Sequence, residues 1–472
     1  MSDIKFGTDG WRAIIAEQYT FDNVARVAAA TAAWIKESGV TQYGVVIGYD
    51  ARFLSREFAL LSARVIAAEG LTVRLSDDIT PTPAVSLGAQ QFDAVGVVIT
   101  ASHNPPEYNG YKIKAPFGGS ASPAQISEVE ALIPKSYEHD SLPSVEEFIG
   151  QKAIIITNLN QRYLDVIRER IDLDLIAKDG SKIAHDSMFG SGSGMISALL
   201  GNQVVNLHDD RNPGFHGTAP EPIVKNLIEL PEVIRANTCS LGIANDGDAD
   251  RVGMFDENGN YVDSHQILSL LTKYMADTRG LKGELVKTVS TTDMMRKQAE
   301  KYGLTILTTP IGFKYITEKI LEGDVLVCGE ESGGIAVKGH LAERDGIYIG
   351  LLITEMCARR GKSLSALVQE LFDEFGEHHC RRNDLHTTEK RKLAMIDFCK
   401  NEKLKSIGGS KVVSVEQPDG IKHWLEDGGW LLVRASGTEP VLRIYSEAST
   451  QERAQQLVDE VSEMVESDVI FS

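Results

Sequence analysis

The chain has 472 residues, 42% of them hydrophobic, and 48 basic against 67 acidic side chains give a formal charge of −19. That length suffices for about three or four domains, and the acidic balance excludes a general nucleic-acid or anionic-membrane surface, so an anionic substrate must be drawn in by local cations. Cys239, Cys328, Cys357, Cys380 and Cys399 form an odd, scattered set with no C-x-x-C pair, which excludes a disulfide framework or a zinc site and points to reducing, cytoplasmic surroundings.

In chain order, Met1-Ser2-Asp3-Ile4-Lys5 carries no apolar signal segment, and no later run is long enough to span a bilayer. Thr20 to Ser38 has apolar residues at Val24, Val27, Ala28, Trp34 and Ile35, a helical spacing. The strand Val45 to Gly48, a helix from Ser55 to Glu69, the strand Leu71 to Leu75 and the apolar run Ala94 to Ile99 complete an α/β unit with a mostly parallel sheet, residues 1–150. A second unit, 151–253, contains the helix Asn160 to Arg170, the strand Lys182 to His185, a glycine loop, a helix, the strand Gln203 to Leu207 and the strand Leu241 to Asn245. The third, 254–373, includes the strand Val286 to Val289, the helix Asp293 to Tyr302 and the strand Asp324 to Cys328. The last, 374–472, is an α+β pattern: a helix, a hairpin of Lys411 to Val415 with Gly429 to Arg434, a strand, and the terminal helix Gln451 to Val465.

Four stretches carry chemistry. Ser102 follows the run Ala94 to Ile99, with His103 beside it and Lys112 ten positions on. Ligands of open α/β sheets gather beyond the carboxyl ends of strands, so this reads as an exposed hydroxyl nucleophile, with a plain turn at Ser-His-Asn-Pro as the alternative. Asp246-Gly247-Asp248-Ala249-Asp250-Arg251 places three carboxylates at alternate positions, able to converge on a hard cation. An EF-hand is excluded because Arg251 stands where the turn glycine belongs and the flanks read as strands, which leaves a solvated acidic turn as the alternative. Cys328-Gly329-Glu330-Glu331-Ser332-Gly333-Gly334 ends a third apolar strand with groups suited to sugar hydroxyls. Arg434-Ala435-Ser436-Gly437-Thr438-Glu439-Pro440, with Arg443 beyond, combines hydroxyls, backbone N–H groups and guanidinium forks suited to phosphate, with a generic hairpin loop as the alternative. Two nucleotide-loop decoys fail: Met195 replaces the third glycine of a dinucleotide fingerprint after Gly190-Ser191-Gly192-Ser193-Gly194, and Met356 replaces the first glycine of a P-loop before Gly361-Lys362-Ser363. The first of these loops reads instead as tight strand-to-helix packing.

In that order and spacing, and with Phe6-Gly7-Thr8-Asp9-Gly10-Trp11-Arg12 at the start, these motifs resemble the α-D-phosphohexomutases over essentially the whole chain. The resemblance implies three α/β/α sandwich domains around a cleft plus a C-terminal α+β domain. It implies Ser102 as phosphoserine, with Arg12, His103, Lys112 and Arg251 around the transferring phosphoryl group and Lys112 as a candidate general acid/base. Asp246, Asp248 and Asp250, with Ser102, would hold Mg²⁺; Glu330 and Ser332 would contact sugar hydroxyls; Arg434, Ser436, Gly437, Thr438 and Arg443 would grip the other phosphate. Lys314 lies in Thr309-Pro310-Ile311-Gly312-Phe313-Lys314 and His340 and Arg344 in His340 to Gly346, stretches similar to the phosphoglucomutase branch, except that Ile311 replaces a Thr. Members acting on mannose or glucosamine phosphates commonly carry His where Gly334 stands. The implied activity is therefore interconversion of glucose 1-phosphate and glucose 6-phosphate through a glucose 1,6-bisphosphate intermediate, by a cytoplasmic monomer or homodimer. A glucose 1,6-bisphosphate synthase using a phosphorylated donor, and a catalytically silent sugar-phosphate binder, are the alternatives.

Overall fold

The strands Val45–Tyr49 and Val95–Ile99 are continuous apolar runs in which every residue is buried, as a parallel sheet covered on both faces requires. They pair in parallel at the centre of a six-stranded sheet ordered Trp11–Ile14, Tyr108–Lys114, Val95–Ile99, Val45–Tyr49, Val73–Ser76, Ile154–Thr157, in which only Tyr108–Lys114 makes antiparallel pairs, with Trp11–Ile14 and Val95–Ile99. The computed structural model describes residues 4–7, 9–436, 441–467 and 469–471.

The chain forms two compact units, one of residues up to Ile267 together with Gly312–Ala366, the other of Leu268–Ile311 and the chain from Leu367 on. In the first, helix Phe21–Ser38 starts at Thr20, whose hydroxyl accepts from the Asn23 N–H, and stops at Gly39 in the left-handed region. Its Val24, Val27, Trp34 and Ile35 join Phe58 and Ile66 of helix Ser55–Ala68 in one core against the sheet. Helix Thr82–Phe92, which the sequence reading passed over, connects Val73–Ser76 to Val95–Ile99. A five-stranded sheet follows, ordered Tyr261–Val262, Val252–Phe255, Leu241–Asn245, Ile183–Asp186, Val204–Leu207, and Val325–Gly329 pairs antiparallel with Ile335–Val337 in the same unit.

The second unit contains the parallel pair Glu284–Thr288 and Ile306–Thr309 and a six-stranded antiparallel sheet with helices Glu389–Lys400 and Gln451–Glu466. The expected hairpin of Lys411 to Val415 with Gly429 to Arg434 is not formed. Strand Ile421–Leu425 lies between them, pairing Ser410–Glu416 on one side and Trp430–Ala435 on the other. His379–His386, also unforeseen, is an edge strand beside Val441–Ala448.

Candidate active site

Ser102 sits just past Val95–Ile99 with φ +54, and it is fully buried. The exposed hydroxyl expected from the sequence is thus corrected: Asp246, 144 residues away, covers it, its Oδ2 accepting from Ser102 Oγ at 2.7 Å. His103 Nδ1 lies 3.4 Å from the same Oγ. Burial, with Arg251 and Arg12 adding to it, holds the His103 imidazole well below its ordinary value and so keeps it neutral.

The aspartates are all buried, and carboxylate oxygens of Asp246, Asp248 and Asp250 lie within 4.8 Å of one another. Asp246 is spoken for, since its Oδ1 accepts from the Arg251 N–H at 3.1 Å. Asp248 Oδ1 and Asp250 Oδ1 have no hydrogen-bond partner. Two orphaned, buried carboxylate oxygens among all-oxygen donors are what a hard divalent cation would satisfy, so this set fits one. A solvated turn does not describe it. Burial pushes the Asp246 carboxyl well up, with Asp248 and Asp250 reinforcing the effect, whereas at Asp248 the same cost is outweighed by Lys112 and the Thr82 hydroxyl and the carboxyl is held low.

Cations close the site. Lys112 Nζ lies 2.8 Å from Asp248 Oδ2, 3.1 Å from Asp250 Oδ2 and 2.8 Å from Asp9 Oδ2. Burial works against its charge, but these carboxylates prevail and raise it, so in this arrangement Lys112 is a fixed ammonium and a poor base. Arg12 Nη1 donates to Asn104 Oδ1 at 2.7 Å, and Arg344 Nη2 bridges Asp9 and Asp250, each at 2.7 Å. Arg251 Nε is 4.0 Å from Asp250 Oδ1.

Arg344, expected on a substrate phosphate, instead reaches the aspartate cluster, and space at Gly334 lets it do so. A Cβ on Gly334 would fall 2.4 Å from Arg344 Cδ. Glu330 accepts from the Gly312 N–H at 3.0 Å, and burial, opposed by Arg344, pushes its carboxyl up to about 7. Ser332 is half-buried in the same turn, and Lys314 Nζ lies 5.2 Å from the Tyr315 ring centroid. His340 is a correction: Arg170 donates to its Nδ1 at 2.8 Å, its Nε2 donates to Asp345 at 2.7 Å, and its ring stacks on Tyr348, leaving no nitrogen for a phosphate. The glycine loop is another, because Gly190 packs on the aspartate turn and not on a helix, a Cβ there falling 2.8 Å from Gly247 O.

In the second unit Arg434 and Arg443 are cross-strand partners, with Arg434 Nε donating to Asp419 Oδ1 at 2.9 Å and Arg443 Nε 3.9 Å from Asp384 Oδ2. Ser436 N–H donates to Val441 O at 2.9 Å, while Gly437 and Thr438 lie outside the described residues. Sequence reasoning missed Asp9, although it lies in the N-terminal motif, and Thr82, whose hydroxyl donates to Asp248 Oδ2 at 2.6 Å. It also missed Lys114, which pairs with Glu343 at 2.6 Å.

Four family descriptions match the chain in order: Phosphoglucomutase/phosphomannomutase, alpha/beta/alpha domain I over 3–140, domain II over 161–259, domain III over 263–375, and the C-terminal domain over 387–464. The chain belongs to the phosphoglucomutase/phosphomannomutase family. It is thus a phosphohexomutase, an intramolecular phosphotransferase with three α/β/α domains and a C-terminal domain. A Thermococcus kodakarensis relative named as a phosphoglucomutase/phosphomannomutase is 31% identical over 96% of each chain. One from Pyrococcus abyssi, named as a probable phosphoglucosamine mutase, is 31% identical over 98% of this phosphohexomutase and 97% of its own length. A Thermus thermophilus structure named as a “putative phosphomannomutase” superposes with a TM-score of 0.86 at 33% identity, covering 99% of this chain and 100% of that one. Among the described residues of the phosphohexomutase no helix is long and apolar enough to cross a membrane.

Proposed function

We propose that this phosphohexomutase interconverts glucose 1-phosphate and glucose 6-phosphate, with Ser102 as the phosphate carrier. The observation that carries the reading is the Ser102 hydroxyl held 2.7 Å from Asp246 in a pocket of Lys112, Arg12, Arg251 and the orphaned oxygens of Asp248 and Asp250. Phosphoryl transfer asks for in-line positioning and neutralised charge, and this set supplies both. Phosphorylated Ser102 gives its phosphoryl group to the free hydroxyl of a hexose monophosphate: the P–Oγ bond breaks, a bond to the sugar oxygen forms, and the proton that the sugar hydroxyl loses ends on the departing Ser102 Oγ. The glucose 1,6-bisphosphate so made turns over, and its other phosphate returns to Ser102. Asp246, Asp248 and Asp250 would hold Mg²⁺, whose chemistry when bound is to withdraw charge from phosphoryl oxygens. Lys112, Arg12 and Arg251 supply fixed positive charge, and the neutral His103 imidazole offers Nδ1 as a hydrogen-bond partner 3.4 Å from Ser102 Oγ.

Glu330 and Ser332 are the sugar contacts in this reading, and Arg434, Ser436, Gly437, Thr438 and Arg443 the grip on the second phosphate. Glucose is favoured over mannose or glucosamine phosphates by Gly334, since Arg344 fills the space a His would need. The relative named as a phosphoglucosamine mutase favours glucosamine phosphate as the second substrate to test. Five free cysteines support a reducing compartment such as the cytoplasm.

The test is a product time course with glucose 1-phosphate, with and without fructose 1,6-bisphosphate, repeated with glucosamine 1-phosphate. Glucose 6-phosphate as the dominant product supports the mutase; accumulating glucose 1,6-bisphosphate replaces it with the synthase; faster turnover of the amino sugar replaces glucose; no turnover with either sugar leaves the silent binder.

A further inference from the structure

Arg52 lies in Asp50-Ala51-Arg52, just beyond strand Val45–Tyr49, and its side chain is wholly buried although it touches no substrate-facing group assigned above. Its donors are spent on the backbone of the Ser102 loop. Nη2 donates to Ser102 O at 2.6 Å and to Asn104 O at 2.5 Å, and Nη1 donates to Pro105 O at 2.8 Å and Tyr108 O at 3.0 Å. Nε lies 3.2 Å from Asp50 Oδ2, and the Phe215 ring covers the guanidinium at 5.0 Å. Asp50 is fixed in turn: its Oδ1 accepts from Ser55 Oγ at 2.7 Å and its Oδ2 from Thr100 Oγ1 at 2.6 Å. Thr100 Oγ1 then accepts the Ser102 N–H at 2.9 Å.

The carbonyl of Ser102 is thus tied to Arg52 and its N–H to Thr100, and both ties meet at one buried carboxylate. Ser102 needs such ties, because at φ +54 a residue with a Cβ is in a disfavoured conformation that persists only where its surroundings impose it. The conformation aims Oγ at Asp246. We infer that Asp50, Arg52 and Thr100 are positioning residues for phosphoryl transfer, setting the backbone of Ser102 so that Oγ points at the aspartate cluster. The inference rests on the reading of Ser102 as phosphate carrier. Only a guanidinium can serve at position 52, since an ammonium keeps the charge beside Asp50 but cannot span carbonyls at four separate positions.

Arg52→Lys and Thr100→Val are to be compared with wild type and Ser102→Ala in three measurements: the rate at which glucose 1,6-bisphosphate phosphorylates the protein, by intact mass; kcat and KM for glucose 1-phosphate; and Tm. A misplacement of about an ångström at a reacting atom costs roughly 10²-fold, so both variants should lose roughly 10- to 100-fold in phosphorylation rate and in kcat, with KM within about threefold. Thr100→Val is nearly isosteric and carries the test if Arg52→Lys does not fold. A lowered Tm with wild-type phosphorylation and kcat would overturn the inference and reduce the three residues to packing. If wild type itself gains no phosphate, or Ser102→Ala gains as much, the phosphoserine reading falls and takes the inference with it; if wild type gains phosphate at Ser102 and the variants match it, the inference alone falls.

Discussion

Gly334→Ala isolates the contact that lets Arg344 lie over the turn from Glu330 to Gly334. The new Cβ would sit 2.4 Å from Arg344 Cδ and 3.1 Å from Cγ, where carbon atoms normally rest ~3.5–4.0 Å apart. If the arginine stem yields while its guanidinium stays on Asp9 and Asp250, the cost is that of overpacking, ~1–3 kcal/mol. If the guanidinium is driven off both carboxylates, the cost is that of breaking a buried pair, ~3–5 kcal/mol. Urea unfolding of the wild type, Gly334→Ala, Arg344→Ala and the double variant separates these cases. In the Arg344→Ala background the stem is gone, the nearest remaining contact is Glu330 Oε2 at an ordinary 3.6 Å, and the glycine substitution should become neutral within about 0.5 kcal/mol. Additive costs in the double variant would refute the reasoning, because the strain at position 334 would then have a source other than Arg344.

Four further outcomes are expected. With the Glu330 carboxyl pushed up to about 7, its hydroxyl-accepting form fills as pH rises, so KM for glucose 1-phosphate should fall between about pH 6 and 8, and Glu330→Gln should flatten that part of the profile relative to wild type. The same raised value means that the stability contributed by this group is complete below the ordinary glutamate range and is lost as pH climbs through about 7, which urea titrations at two pH values would register. Chelation should abolish turnover and Mg²⁺ restore it, while Asp248→Asn should raise the Mg²⁺ concentration for half-maximal activity by roughly tenfold or more; unchanged Mg²⁺ dependence would return the aspartate loop to a merely structural turn. Arg434→Lys should lower kcat/KM by roughly ten- to a thousandfold while intact mass still shows phosphate on the protein, and an unchanged kcat/KM would remove the C-terminal loop from substrate binding.

The parts legible in the sequence were those whose chemistry is local. Val45–Tyr49 and Val95–Ile99 announce buried strands by composition, and the aspartate loop announces converging carboxylates by alternation. Ser102 was found as a strand-end hydroxyl, but its burial depends on Asp246, which no local pattern encodes. Strand Ile421–Leu425 went unread because it carries Lys422 and His423, both buried, where a half-buried strand would show alternation. Lys422 is tolerated there because its Nζ donates to Val289 O at 3.0 Å and lies 3.8 Å from the Trp430 ring centroid. His379–His386 hid for a related reason: its sequence, His-Cys-Arg-Arg-Asn-Asp-Leu-His, is that of a loop, and its order comes from an eight-residue register with Val441–Ala448. Asp50-Ala51-Arg52 drew no reading, since donors that serve backbone carbonyls leave no residue-type signature at the other end.

That the first unit takes in Gly312–Ala366, after the chain has left it at Ile267, bears on how the protein is made. Asp9 and Arg344 are 335 residues apart and meet at 2.7 Å. A ribosome adding ~5–20 residues per second needs roughly 20–70 s to travel that distance. From the synthesis of Asp250 to that of Arg344, about 5–20 s at the same rate, the nascent chain holds strands and aspartates whose covering helix, Gly346–Arg360, does not yet exist, so the unit cannot close while it is being synthesised. Completion of the cluster around Ser102 therefore comes late in synthesis, and a polypeptide released early, at Ile267 for example, would hold Asp9 and Asp250 without Arg344 to bridge them.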